Sequence, residues 1–444
     1  MRSLVSVLLS LFVMSALSAA ATVDANEIQK ILKDAVETKR TVGIVVGIVD
    51  ASGSHIYSCG KTARDGRDVD GDSVFEIGSV TKTFTATLLA DMVKRGEVSL
   101  DDPVVKYLPK DAKVPSRGGK EITLLDLVTH RSGLPRMPTN FAPADPENSR
   151  ADYTAKKMYE FLASYTLPRD IGASFEYSNI GVSLLGEALA RRAGKSYEAL
   201  LSERIFRPLN MSSTCIVLRP ELSSRQATGH SAELKPVKNW DFDVFAGAGG
   251  IRSTAADMLK YLSAYMGSKP SPLTGAMAMA CQDLRDTDVP NLRIGFAWHV
   301  LKLSDSQFVM HNGETGGYHS FLGFDMKKGL GVVILSNSKN DIDLIGLNIL
   351  KDRKEISLDA GLLDACVGRY QLTPSNVLTV TREANLLFLQ ATGGPRLQLH
   401  AEAETEFFLM DMDVQVSFVK DALGKVTQLV LHGGGQDMKA DRIK

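Results

Sequence analysis

Ser79 and Lys82 stand three residues apart where an apolar periodic run begins, carried by Val80, Phe84, Leu88, Leu89, Met92 and Val93. That periodicity predicts a helix opening just after Gly78, and residues i and i+3 share a helix face, so the Lys82 amine reaches the Ser79 hydroxyl. A serine hydroxyl is a weak nucleophile until a neighbouring base takes its proton, and an amine serves as that base only when burial or a helix start keeps part of it neutral. The free N–H groups of a helix start also suit an oxyanion forming at an attacked carbonyl. Read alone, the same serine is a helix cap and the spacing is chance, so the chemistry needs support from elsewhere in the chain.

Two further stretches supply that support. In Tyr177-Ser178-Asn179, just ahead of an apolar helix through Leu184, Leu185, Ala188 and Leu189, an extended backbone turns Tyr177 and Asn179 the same way and Ser178 the other. A phenol relays protons and an amide binds a carbonyl; the plain alternative is an asparagine cap beside a packed tyrosine. In His311-Asn312-Gly313, followed by Glu314-Thr315-Gly316-Gly317 and the strand Gly331–Asn337, strand, glycine bend and strand place the motif at a sheet edge where a ligand approaches backbone. The alternative there is a loose hairpin. His130 reads as a structural hydrogen-bonding histidine or a cap. Phe245 to Leu259 is glycine-rich but lacks the strand and spacing of a phosphate loop, and Thr254 with Asp257 reads as an approximate capping box.

The elements that must hold these groups read as α+β. An amphipathic helix over Asp24 to Thr38 precedes a hairpin over Val42 to Ser58; Leu100 to Pro168 reads as short helices and long loops; Asp341 to Lys351 closes this part with a helix. From about Ser357 the texture changes to six short β runs, at 378–381, 386–389, 397–400, 406–409, 414–419 and 426–431, with no helix among them. Their spacing predicts a small all-β, barrel-like domain.

The first 21 residues carry one cation, an apolar core and then small residues, the pattern of a signal peptide for export, and no other segment reads as a membrane span. With a net charge of −1 and no basic cluster, neither nucleic acid nor an anionic membrane surface is expected as a partner. Cys59, Cys215, Cys281 and Cys366 are scattered without a Cys-x-x-Cys pair, which reads as isolated buried thiols. No His or carboxylate cluster has ligand spacing, so no metal and no cofactor is expected.

The order Ser79-Val80-Thr81-Lys82, Tyr177-Ser178-Asn179, His311-Asn312-Gly313, with Leu124 to Leu134 and Thr315-Gly316-Gly317 as flanks, resembles the serine β-lactamase and penicillin-binding protein superfamily. The tyrosine in the second motif is similar to the class C branch, which includes D-alanyl-D-alanine carboxypeptidases, D-aminopeptidases and β-lactamase-like carboxylesterases. The resemblance implies a β-lactamase/transpeptidase-like antiparallel sheet flanked by helices over 22–353, after a signal peptide at 1–21. It makes Ser79 the acylated nucleophile and gives Lys82 and Tyr177 the general acid and base work. Asn179 is implied to hold the substrate carbonyl, His311 and Gly313 to bind substrate, and the backbone N–H groups of Ser79 and Glu314 to form the oxyanion hole.

The implied function is a secreted or periplasmic hydrolase acting through an acyl-serine on a β-lactam or a D-amino-acid peptide. The alternatives are an esterase on small esters and a penicillin-binding protein that acylates without turnover. One departure bears on that choice: the β-lactamases carry Lys-Thr-Gly where this chain carries His311-Asn312-Gly313, and a histidine offers no permanent charge to a substrate carboxylate. Residues 357–444 resemble lipocalin-like domains appended to some secreted members.

Overall fold

The structure, a computed structural model, describes residues 23–282, 284–302, 306–353, 355–409, 412, 414–433 and 436–443. The expected signal peptide lies outside the described residues. Among these, no helix is long and apolar enough to cross a membrane.

The scaffold is an eight-stranded antiparallel sheet of β1 (Gly43–Asp50), β2 (Gly53–Gly60), β5 (Arg285–Asp286), β6 (Leu292–Ile294), β7 (His299–Lys302), β8 (Gln307–Glu314), β9 (His319–Asp325) and β10 (Leu330–Ser336), in the order β2-β1-β10-β9-β8-β7-β6-β5. A two-stranded ladder of β3 (Phe75–Glu76) and β4 (Arg252–Ser253) lies apart from it. The central strands β1, β9 and β10 are buried almost throughout because both faces are covered. Ile44, Val46 and Ile48 of β1 pack with Ile28 and Leu32 of α1 (Ala25–Glu37) and with Ile345 and Ile349 of the helix Asp343–Lys351. Val45 and Val49 face the other way, toward Leu259 and Leu262 of the helix Ala255–Tyr265. Alternation along one strand thus sorts its side chains into two cores.

On this second face lies α2 (Thr81–Lys94), buried from Thr81 to Met92. A helix without a solvent face must pair its polar side chains internally. Its threonines do so: Thr85 Oγ1 donates to the Gly247 carbonyl at 2.7 Å and Thr87 Oγ1 to the Thr83 carbonyl at 2.8 Å. Phe84 stacks on Tyr261 with ring centroids 3.9 Å apart. The helix that carries the chemistry is therefore the most enclosed element of its layer.

Two sequence expectations change here. The motif strand β8 is internal to the sheet rather than at its edge, yet β7 pairs with it only from Gln307 to Met310, so His311 to Glu314 run past the end of β7 and keep one backbone side open. The C-terminal region has eight strands rather than six and begins with a helix, Ala360–Cys366. β11 (Gly368–Thr373), β12 (Asn376–Glu383), β13 (Leu386–Ala391), β14 (Arg396–Ala401), β15 (Glu406–Phe408), β16 (Val414–Lys420), β17 (Val426–Gly433) and β18 (Gln436–Ile443) form a closed antiparallel barrel. Tyr370, Leu378, Leu389, Phe407, Phe418 and Leu429 fill its interior, and Leu363 and Cys366 of the short helix join them, with the Tyr370 hydroxyl donating to the Cys366 carbonyl at 2.7 Å.

The barrel joins the first domain on the face that carries α1. Ile356 N–H donates to the Ala401 carbonyl at 2.8 Å, and the Glu355 carboxylate takes Lys30 of α1 at 3.2 Å and His400 of β14 at 3.0 Å. All four cysteines are free; Cys215 and Cys366 are buried, whereas Cys59 and Cys281 are only half-buried, which corrects the expectation of four buried thiols.

Candidate active site

Ser79 sits in a tight turn, Gly78–Val80, that leads directly into α2. Gly78 has φ +47°, a left-handed conformation that favours glycine. Lys82 is fully buried, and its Nζ lies 2.8 Å from Ser79 Oγ and 2.7 Å from the Ala248 carbonyl. Burial pushes its ammonium form well below the usual lysine range, and the guanidiniums of Arg136 and Arg150 push it further the same way. A neutral amine donates one N–H to Ala248 and turns its lone pair to the serine, the state a general base requires.

Tyr177 and Asn179 flank Ser178, which caps the helix Asn179–Ala193 by accepting the Gly181 N–H at 2.9 Å. The cap residue is therefore Ser178, and its neighbours are left for the cleft. The Tyr177 ring lies 4.8 Å from Lys82 Nζ. Burial pushes its phenol up to about 12, against the opposing effects of a hydrogen bond with Ser79 and the charge of Arg136. At neutral pH Tyr177 is thus a proton donor, not a phenolate. His130 is buried with φ +57°; its Nδ1 accepts the Ser178 N–H at 3.1 Å, and its ring packs 4.6 Å from that of Tyr177. It holds the Tyr177 segment in place, the structural role read from the sequence.

The third motif meets the first through two glycines. A Cβ on Gly313 would stand 2.1 Å from the Ile77 carbonyl oxygen, and one on Gly78 would stand 2.7 Å from the Glu314 nitrogen. Ser320 Oγ of β9 donates to that Ile77 carbonyl at 2.8 Å, fastening the turn to the sheet. The backbone nitrogens of Ser79 and Glu314 belong to the two segments brought together in this way.

His311 is buried, and burial, with the charges of His299 and Lys82 acting in the same sense, holds it well below the usual histidine range. Its Nδ1 donates to the Asn312 carbonyl at 2.6 Å, which leaves Nε2 as an acceptor with no partner among the described residues. Its ring stacks on His299 at 5.0 Å, and burial pushes His299 down to about 4. A neutral His311 cannot replace the charge of a lysine.

These groups surround a cleft of about 400 Å³, lined among others by Ser79, Tyr177, Asn179, Asn312, Gly313 and Glu314. Lys82 and His311 stand behind its wall, and its lining residues run from Gly78 to His319, with none from the barrel. Among the lining residues that sequence reasoning missed are Arg136, Arg150, Trp240 and His299, which sit in no periodic or motif context. It also missed a cluster gathered by the fold, His319, Asp341 and Asp343, whose ligand-capable atoms lie within 4.8 Å of one another. These form an ion-pair network rather than an open donor set: His319 Nε2 bonds Asp343 at 2.9 Å, and Asp343 also accepts from Asn312 Nδ2 at 2.5 Å.

A half-buried serine, a buried amine against it and a phenol beside both, on an antiparallel sheet flanked by helices, define a serine hydrolase. The comparisons give the family. The sequence model of the Beta-lactamase family matches residues 28–349, and the chain belongs to that family. Residues 352–442 match a model described as a domain of unknown function. The D-alanyl-D-alanine-carboxypeptidase/endopeptidase AmpH of Escherichia coli (strain K12) is 29% identical over 308 residues, covering 66% of this chain and 78% of the relative. A Beta-lactamase of Pseudomonas fluorescens is 26% identical over 351 residues, 70% of this chain and 94% of the relative. A solved structure described as a class C beta-lactamase superimposes with a TM-score of 0.65 over 76% of this chain and 99% of its own, at 23% identity, a likeness of fold. The chain stands in the class C-like branch of the serine β-lactamase and penicillin-binding protein superfamily.

Proposed function

We propose that this protein is an exported serine hydrolase that cleaves β-lactams or the amide bonds of D-alanyl peptides by acyl transfer to Ser79 and then to water. The observation that carries the reading is Lys82, whose Nζ is 2.8 Å from Ser79 Oγ while a second bond to the Ala248 carbonyl fixes its direction. Ser79 Oγ attacks the carbonyl as its proton passes to Lys82 Nζ. The oxyanion is taken by the backbone N–H groups of Ser79 and Glu314, and Asn179 orients the acyl amide. Tyr177, neutral at working pH, hands a proton to the leaving nitrogen, and water releases the acyl group by the reverse relay. His311 and Gly313 act from β8, the glycine by close approach and the histidine as a neutral acceptor. Export rests on the leader pattern of residues 1–21.

A second reading, hydrolysis of small esters, is favoured by one observation, the neutral His311 where a carboxylate-binding lysine is absent. Nitrocefin, a D-alanyl-D-alanine peptide and a short-chain 4-nitrophenyl ester, assayed side by side with mass spectrometry of the Ser79 peptide, separate the two. Turnover of either amide with a transient acyl adduct supports the proposal; turnover of the ester alone removes it. A stable stoichiometric adduct without product would indicate a penicillin-binding protein that acylates only.

The charge environment of Lys82 also sets a pH dependence. The base works only when neutral, so kcat/KM falls as pH drops through the Lys82 pKa. Arg136 is a positive neighbour that disfavours the ammonium, so its removal raises that pKa. In Arg136→Leu the acid limb of the profile is therefore expected at higher pH than in the parent. An unmoved or lowered limb would show that another group titrates.

A further inference from the structure

The cleft contains two cations that the reaction above does not use. Arg136, an exposed residue, follows Gly133-Leu134-Pro135; its backbone carbonyl accepts the Asn179 N–H at 3.0 Å and its guanidinium lies 5.0 Å from the Tyr177 ring centroid. Arg150 is half-buried between aromatic faces, 4.5 Å from the Trp240 ring centroid and 4.8 Å from that of Phe141, and its Nη1 donates to Ser149 Oγ at 2.6 Å. Among the described residues neither guanidinium has a carboxylate within ion-pairing distance, although most other arginines of the chain do.

Withdrawing a cation from water without an anion is costly, and two like charges close together add to that cost. At Arg150 burial and then the charge of Arg136 push the guanidinium down to about 10. Aromatic faces return only about 0.5–2 kcal/mol. Arg150, half-buried and held by ring packing, lines the cleft together with the exposed Arg136, so the two present their charge to an anion from outside, and guanidinium forks match carboxylate geometry.

We propose that Arg136 and Arg150 form an anion subsite on the Asn179 side of the cleft, which takes a carboxylate carried by the acyl half of the substrate. The side follows from the backbone bond between Arg136 and Asn179, and this step rests on the proposed role of Asn179 in binding the acyl amide. The subsite lies away from the leaving group. It supplies the permanent charge that His311 lacks, at a different place in the cleft, so the preferred acyl group is anionic whatever leaves.

Two matched ester pairs test this without requiring a D-alanyl peptide or β-lactam to be a substrate. Mono-4-nitrophenyl adipate and 4-nitrophenyl hexanoate differ by a carboxylate at the far end of the acyl chain; 4-acetoxybenzoate and phenyl acetate differ by one on the leaving group. The expected result is a kcat/KM ratio favouring the adipate over the hexanoate that falls at least tenfold in Arg136→Leu/Arg150→Leu, mainly through KM, with little change in the second pair's ratio. Arg150→Lys should recover part of the lost ratio through its retained charge. A parental preference for hexanoate, an acyl-pair ratio unchanged by the double substitution, or a change confined to the leaving-group pair would each overturn the assignment. Because these esters report on acyl recognition alone, failure of the subsite is distinguishable from failure of the amide-hydrolase reading.

Discussion

Ser79→Ala is expected to lose turnover of every substrate, amide or ester, by on the order of 10⁴-fold or more, because nucleophile, base and donor act as a unit whose loss is not shared out among the survivors. The fold should be retained. Ser79 is half-buried in the turn ahead of α2, and the substitution removes one oxygen whose partners are an amine and a phenol. Lys82 keeps its bond to the Ala248 carbonyl, so the buried amine is not left without a partner. The check is a progress curve with each substrate together with a thermal unfolding trace. Activity near the parental level, with the same melting transition, would show the nucleophile to be another residue.

Gly313→Ala is expected to give the next largest loss of activity, by a different route. The added methyl would stand 2.1 Å from the Ile77 carbonyl oxygen and 2.6 Å from Ser320 Oγ, distances no side chain tolerates, so the turn carrying Ser79 must move off the sheet. A displacement of about 1 Å at a reacting atom costs on the order of 10²-fold in rate, and the overpacking costs about 1–3 kcal/mol of stability. A drop in kcat with a modestly lowered melting temperature is the expected signature. Parental kinetics would mean that β8 and the Ser79 turn are not held in register by this contact.

What could be read from the sequence follows from how local each signal was. Ser79 with Lys82, and Tyr177 with Asn179, were legible because helical and extended periodicities turn a short spacing into a shared direction. The two arginines were not legible, because both lie on irregular chain: Arg150 meets the cleft through the packing of Trp240, Phe141 and Phe245 around it, and Arg136 through the Tyr177 ring. For β8 the strand was legible and its neighbours were not: β5, β6 and β7 are two to four residues long, too short to announce themselves as the strands that flank it. In the barrel, β18 reads Gln-Asp-Met-Lys-Ala-Asp-Arg-Ile with Ala440 its only buried residue, so the alternation that betrays a half-buried strand is missing. The helix Ala360–Cys366 buries only Leu363 and Cys366, too little for a periodic signal.

The barrel closes by pairing β11 with β18, Arg369 opposite Ile443 and Gln371 opposite Asp441. The barrel's last strand in chain order thereby seals its first. A chain cut short before Gln436 would not simply lack one strand; it would leave β11 and β17 each with a bare row of backbone donors and acceptors, the surface on which chains pair with one another and aggregate. Closure thus makes the solubility of this region depend on every strand of the ring being present, a condition written into hydrogen-bond geometry rather than into any side chain.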